Sequence, residues 1–139
     1  MIPARAAARA RILVIEDYSD TRELLSMLLR SKGYEVIEAE DGVEGLLKAS
    51  GSYPDLILLD LALPEMDGVE AARRIHQMPK LNKTPIVVLS AYLTEDVEAD
   101  VRVAGCVATF GKPFDSDVLL ATIKSTLSDQ QRERQPQWP

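Results

Sequence analysis

Pro54-Asp-Leu-Ile-Leu-Leu-Asp-Leu-Ala-Leu-Pro-Glu-Met-Asp-Gly68 decides how the chain is read. From Asp55 an apolar run, Leu56-Ile-Leu-Leu59, proceeds without polar alternation, which suits a strand buried on both faces of a parallel sheet. The run stops at a carboxylate, Asp60. Leu61 to Gly68 then combines a proline with a Met-Asp-Gly turn signal and has no helical period, so it reads as a surface loop at the carboxyl end of that strand. Open α/β sheets bind their ligands at that edge. Asp60 therefore marks where chemistry is expected, and charged residues at the ends of other strands should converge on it.

Working outward, strands and helices alternate. Arg11-Ile-Leu-Val-Ile15 is a first strand ending at Glu16-Asp17. Asp20-Thr-Arg-Glu23 has capping-box spacing, and Leu24, Leu25, Leu28 and Leu29 give an amphipathic helix that Gly33 can close. Tyr34 to Ala39 reads as a second strand and Asp41 to Ser50 as a helix, with Gly51-Ser-Tyr-Pro54 turning into the central strand. A third helix is expected over Glu70 to Met78 before Pro79, and its His76, the only histidine, reads as an exposed residue. Pro85 to Leu89 is a fourth buried strand ending at Ser90; Thr94-Glu-Asp opens a helix with an acidic first turn that Gly105 closes. Cys106, read as a small buried hydrophobe, begins a weak fifth strand to Phe110, followed by Gly111-Lys-Pro-Phe114. A last helix from Asp115 presents Leu119, Leu120, Ile123 and Leu127. Five strands alternating with five helices imply an α/β domain: a doubly wound five-stranded parallel sheet flanked by five helices.

At 139 residues with 46% hydrophobic content, the chain is of one-domain size and can bury a core. Residues 1–8 read as an N-terminal extension containing Arg5, 9–129 as the domain, and 130–139 as a polar C-terminal tail carrying Trp138. A net charge of -6 argues against direct nucleic-acid binding, which needs a basic stripe. No run approaches the roughly 18 apolar residues of a membrane span, and a single cysteine cannot form an internal disulfide. A cytoplasmic location and no membrane contact are the expectation.

Glu16 and Asp17 end the first strand, Asp60 the third and Ser90 the fourth, while Lys112 follows the fifth. In this topology all five approach one edge. Crowded carboxylates repel unless a cation offsets them, and acids without cysteine or clustered histidine suit a hard, oxygen-preferring ion such as Mg²⁺. A carboxylate nucleophile, a divalent cation, an ammonium and a hydroxyl together suit a transferring phosphoryl group.

These residues resemble a response-regulator receiver domain of two-component signalling. The resemblance rests on Glu16-Asp17, the stretch Asp60 to Gly68, Ser90-Ala91, and Gly105 with Lys112-Pro-Phe114, each at the expected strand end, and covers all but the chain's ends. It implies a flavodoxin-like receiver fold of the single-domain type. It implies that Asp60 accepts a phosphoryl group from a sensor histidine kinase or a histidine phosphotransfer protein. Asp17, Asp60 and the carbonyl of Ala62 would bind Mg²⁺ directly and Glu16 through a water. Lys112 and Ser90 would each bond a phosphoryl oxygen, and a cis bond before Pro113 would aim the lysine. The implied protein is a switch rather than a turnover enzyme, a monomer or weak homodimer acting on a separate downstream protein or passing the phosphoryl group onward.

The chain departs from the family pattern where an aromatic usually stands three residues before the lysine: Thr109 is there, with Phe110 beside it. Strand alternation should send that ring to the opposite face, so either Phe110 substitutes through a register shift or the signal is read around Ser90 and Tyr92. Ala62 and Tyr92, two residues beyond Asp60 and Ser90, stand where side chains influence water attack; Ala62 cannot orient a water, which suggests a long phosphoryl lifetime. Other classes fit less well. An aspartyl-nucleophile phosphatase usually carries a second Asp where Ala62 stands. A dinucleotide or flavin protein needs glycine in the loop after the first strand, which here reads Glu-Asp-Tyr-Ser-Asp20. A receiver-like interaction module that is never phosphorylated is the remaining alternative, and five intact site residues argue against it.

Overall fold

The computed structural model describes residues 9–134. Residues 1–8 and 135–139, with Arg5 and Trp138, lie outside the described residues. The elements in order are β1 (Arg11–Ile15), α1 (Ser19–Ser31), β2 (Glu35–Ala39), α2 (Gly42–Ser52), β3 (Leu56–Asp60), α3 (Gly68–Gln77), β4 (Ile86–Ser90), α4 (Glu95–Val103), β5 (Ala108–Gly111) and α5 (Ser116–Arg134). All strand pairings are parallel, in the order β2-β1-β3-β4-β5. The doubly wound sheet expected from the alternation is therefore present. The chain leaves β1 toward β2 and returns to β3 on β1's other side, so the topological switch lies between β1 and β3, where the ligand crevice of such sheets opens.

Because β side chains alternate, each buried strand feeds two cores. Leu13, Ile15, Ile57, Leu59, Ile86 and Val88 pack with Ala49 of α2, Ala71, Ala72 and Ile75 of α3, and Val101 of α4. Ile12, Val14, Leu56, Leu58, Val87 and Leu89 pack on the other face with Leu25 and Leu29 of α1 and Leu119, Ile123 and Leu127 of α5. Registered pairs such as Leu13 with Ile57 and Ile57 with Ile86 share a face, which keeps each layer continuous across the sheet. Close helix approach needs small residues here: a Cβ on Gly45 of α2 would lie 2.6 Å from Ile15 Cδ1.

Three local expectations are corrected. Asp20 does not cap α1. The N-cap is Tyr18, without a side-chain cap bond, because the Tyr18 N–H donates to Glu16 Oε2 (3.3 Å) and the Tyr18 carbonyl already accepts from Arg22 (2.9 Å). Second, α5 continues to Arg134, past Leu127, where the apolar stripe ends; Gln130, Gln131 and Arg132 are good helix formers that a stripe-based reading cannot register. Third, His76 is not an exposed surface residue. Its Nδ1 lies 2.9 Å from the Ala104 carbonyl and its Nε2 2.9 Å from the Thr84 carbonyl, so the ring ties the end of α3 to the end of α4 and to the approach of β4. Gly105, at φ 93°, leaves the room: a Cβ there would sit 2.6 Å from His76 Nδ1. Cys106 is half-buried, and burial pushes its thiol up to about 11.

Removing the His76 ring would leave a gap in a partly buried seam and take the N–H donor from a carbonyl there. His76→Ala is therefore expected to lower unfolding stability by about 2 kcal/mol in urea titrations, against less than about 0.5 kcal/mol for a solvated histidine.

Candidate functional site

Three strand ends and the turn after β5 deliver the polar groups. Glu16 follows β1 directly, held by its N–H to the Ala39 carbonyl (3.0 Å), and is only 2% exposed. Asp60 ends β3 and Ser90 ends β4, each 5% exposed. Lys112 follows β5, with its N–H donating to the Ser90 carbonyl (2.8 Å) and a cis bond to Pro113 after it. Lys112 Nζ donates to Glu16 Oε1 (2.7 Å) and lies 3.3 Å from Asp60 Oδ2. Asp60 Oδ1 accepts from the Ala62 N–H (3.2 Å), and Ser90 Oγ accepts from the Tyr92 N–H (3.1 Å). These two bonds fold the loops after β3 and β4 back over their own carboxylate and hydroxyl.

The sequence singles out ten residues, and the structure brings Glu16, Asp60 and Lys112 into direct contact, with Ser90 joined through the Lys112 backbone. Asp17 stands next to Glu16 and is exposed, as is Ala62. Tyr92 is 81% exposed. No register shift carries Phe110 toward the site: it pairs with Leu89 and packs in the cluster facing α1 and α5, while Thr109 pairs with Val88 and shares the face toward α4. Two further contributors, Arg22 and Gly68, act through contacts that the sequence does not spell out. Arg22 of α1 donates from Nη1 to the Glu16 carbonyl (3.0 Å). Gly68 packs so closely that a Cβ would lie 2.5 Å from Leu61 Cα and 2.9 Å from the Asp60 carbonyl. Of the turn signal Asp67-Gly68, the aspartate caps α3, accepting from the Val69 N–H (2.8 Å).

The donor set is all oxygen, suited to a hard cation and not to zinc or copper. Among the described residues no three His, Cys, Asp or Glu side chains group as a metal site. Asp17 and Asp60 would offer carboxylates and Ala62 a carbonyl to such an ion, while Glu16 is held by Lys112. Such a set fits Mg²⁺, which keeps several of its waters.

Burial, and then a hydrogen bond to and the charge of Asp60, raise the Glu16 pKa above its ordinary 4.5, against the opposing pull of Lys112. Burial also pulls the Lys112 pKa down, but the Glu16 hydrogen bond and the charges of Asp60 and Glu16 outweigh it and leave it raised above 10.5. A carboxyl that holds its proton more tightly when folded stabilises at low pH and loses that contribution as pH rises through the window above 4.5. The lysine's contribution is full below 10.5 and is lost as pH rises through its folded value.

This crevice, with two buried carboxylates and a lysine at the carboxyl edge of a doubly wound sheet, defines a receiver domain. Residues 12–124 match the model of the response regulator receiver domain, and the chain belongs to that family, the receivers of two-component systems. It is 33% identical over 118 residues to the polar-differentiation response regulator DivK of Brucella ovis, covering 85% of this chain and 96% of the relative. Among solved structures, the CheY-like receiver domain protein of Methanospirillum hungatei superposes with a TM-score of 0.85 at 29% identity, covering 89% of this chain and 98% of the other. The chemotaxis protein CheY4 of Vibrio cholerae superposes with a TM-score of 0.82 at 30% identity, covering 86% and 99%. Among the described residues no helix is long and apolar enough to cross a membrane.

Since Glu16 ionises at a cost inside the pocket, Glu16→Gln should gain stability relative to wild type as pH rises through the window above 4.5, read as the difference between paired urea titrations.

Proposed function

We propose that this receiver is a phosphoacceptor switch in which Asp60 takes a phosphoryl group from a phosphohistidine of a sensor kinase or phosphotransfer protein. The observation that carries the reading is the ammonium of Lys112 set between Glu16 and Asp60, 3.3 Å from Asp60 Oδ2. One Asp60 oxygen attacks phosphorus; the O–P bond forms as the P–N bond breaks, and the imidazole nitrogen leaves with that electron pair. Lys112 then pairs with a phosphoryl oxygen. The Ser90 hydroxyl, already accepting from the Tyr92 N–H, is free to donate its proton to another and draw the loop after β4 inward. Asp17, Asp60 and the Ala62 carbonyl would hold Mg²⁺ directly, with Glu16 reaching it through water. When bound, Mg²⁺ neutralises charge on the phosphoryl oxygens.

With the Phe110 ring packed toward α1 and α5, the signal is read from the backbone around Ser90 and Tyr92 rather than from a rotating aromatic. The acidic chain supports a protein target in the cytoplasm, reached by altered binding or onward phosphotransfer, over nucleic acid or membrane. It acts as a monomer or weak homodimer. Autodephosphorylation resets it, and Ala62, which offers no side-chain donor or acceptor for the attacking water, makes that reset slow.

Intact mass and Phos-tag mobility after incubation with Mg²⁺ and acetyl phosphate or phosphoramidate should show a phosphate-sized gain, abolished in Asp60→Ala and without Mg²⁺. No gain with any donor would leave an interaction module that is never phosphorylated. Once the donor is removed, Ala62→Asn or Ala62→Glu, which add a polar group beside the phosphorus, should lose the phosphoryl group several-fold faster than wild type. An equal or slower loss would refute the role given to Ala62.

A further inference from the structure

The loop that carries Glu16 and Asp17 is gripped from behind by one side chain. Arg22 stands in the first part of α1, and its side chain is only 13% exposed. Nη1 donates to the Glu16 carbonyl at 3.0 Å and, more weakly, to the Asp17 carbonyl at 3.4 Å. Nε lies 3.3 Å from Glu38 Oε1 at the end of β2, and Nη2 lies 3.6 Å from Glu40 Oε1 just beyond it. The backbone of the same residue bonds the Tyr18 carbonyl at 2.9 Å, so one residue spans the whole turn from Glu16 to Tyr18 and fastens it to the neighbouring strand.

This grip differs in kind from that of Lys112. Lys112 meets carboxylates, whereas Arg22 meets the carbonyls of the acid-bearing residues, and its charge is answered by Glu38 and Glu40. What it gives the pocket is therefore location. Asp17 is exposed, and a loop bearing an exposed carboxylate must otherwise be ordered when a cation binds, which weakens binding by the cost of that ordering. The rigid fork of a guanidinium reaches two carbonyls and two carboxylates at once; a lysine's ammonium, on a flexible stem, does not reproduce that geometry.

We propose that Arg22 is a positioning residue for divalent-cation binding, holding the Glu16–Asp17 backbone so that the Asp17 carboxylate is preset for Mg²⁺. The inference rests on the phosphoacceptor reading of this pocket and deepens it. The side chain acts through the backbone of Glu16 and Asp17 and touches neither cation nor phosphoryl group.

The test is calorimetric titration of Mg²⁺ into the full chain for wild type, Arg22→Ala and Arg22→Lys, with urea stability and amide spectra of each. The expected result is a dissociation constant raised about tenfold in both variants, Arg22→Lys included, with the largest amide differences at Glu16, Asp17 and Tyr18. A binding constant within twofold of wild type in folded Arg22→Lys overturns the inference, even if its stability falls, because a merely structural arginine would lower stability without moving Mg²⁺ affinity. Restoration by lysine after a loss in Arg22→Ala also overturns it, since charge and not position would then be what matters. Should Arg22→Ala fail to fold, the lysine variant decides alone. Wild type that takes up no Mg²⁺ overturns the metal assignment beneath it, and this inference with it, which separates that failure from an effect confined to the variants.

Discussion

Lys112, with its ammonium 2.7 Å from Glu16 and 3.3 Å from Asp60, is the contact on which the rest of this edge depends. Two carboxylates buried side by side repel, and removing either from water is unfavourable unless it is paired. The ammonium offsets part of that cost and leaves part: Glu16 still holds its proton more tightly than a solvated carboxyl does. One ammonium faces two carboxylates, so acids outnumber the cation at this edge. Several local devices serve the same juxtaposition. The Lys112 backbone is tied to Ser90, the turn continues through Pro113, and Gly68 lets α3 start against the loop leaving Asp60.

The two helical layers hold the sheet differently, with consequences for motion. α1 and α5 contribute leucines and an isoleucine to a continuous apolar face. α4 buries only Val101, and its C-terminal end is fixed by the His76 ring on the Ala104 carbonyl. At its other end, Ala91, Tyr92 and Thr94 are exposed. A helix anchored at one end and lightly packed at the other is the element that a pull on Ser90 can displace at least cost. Thr109, on the β5 face turned toward this helix, puts no large ring in the way.

Much of this was legible in the residues. Unbroken apolar runs such as Leu56 to Leu59 specify strands buried on both faces, since only a sheet covered by helices on both sides can hide them. Acids at the ends of such runs, with a lysine after the last, specify one edge. The turn at Asp67-Gly68 and the helix starts at Asp41 and Thr94 were also legible, and in the structure each of these three side chains caps its helix, because an oxygen meeting an N–H two or three residues on is a local event. Where Asp20 failed as a cap, the winning contact was between Tyr18 and Glu16, a carboxylate whose position the sheet edge sets. The helical run beyond Leu127 was missed because it depends on propensity without burial.

The sequence by itself determined the order of elements, the two-faced burial of the central strands and the set of groups at the active edge, because alternation, apolar run length and turn chemistry act over a few residues. Only the tertiary structure decided which of those groups touch, that the Phe110 ring faces away from the site, that His76 clasps two segments, and that Arg22 holds the acid-bearing turn. Each of these is a contact across the sheet or between helices, set by strand order and register and by residues such as Gly105 that leave space for it. No spacing along the chain encodes such distances, because they exist only once the strands are laid side by side.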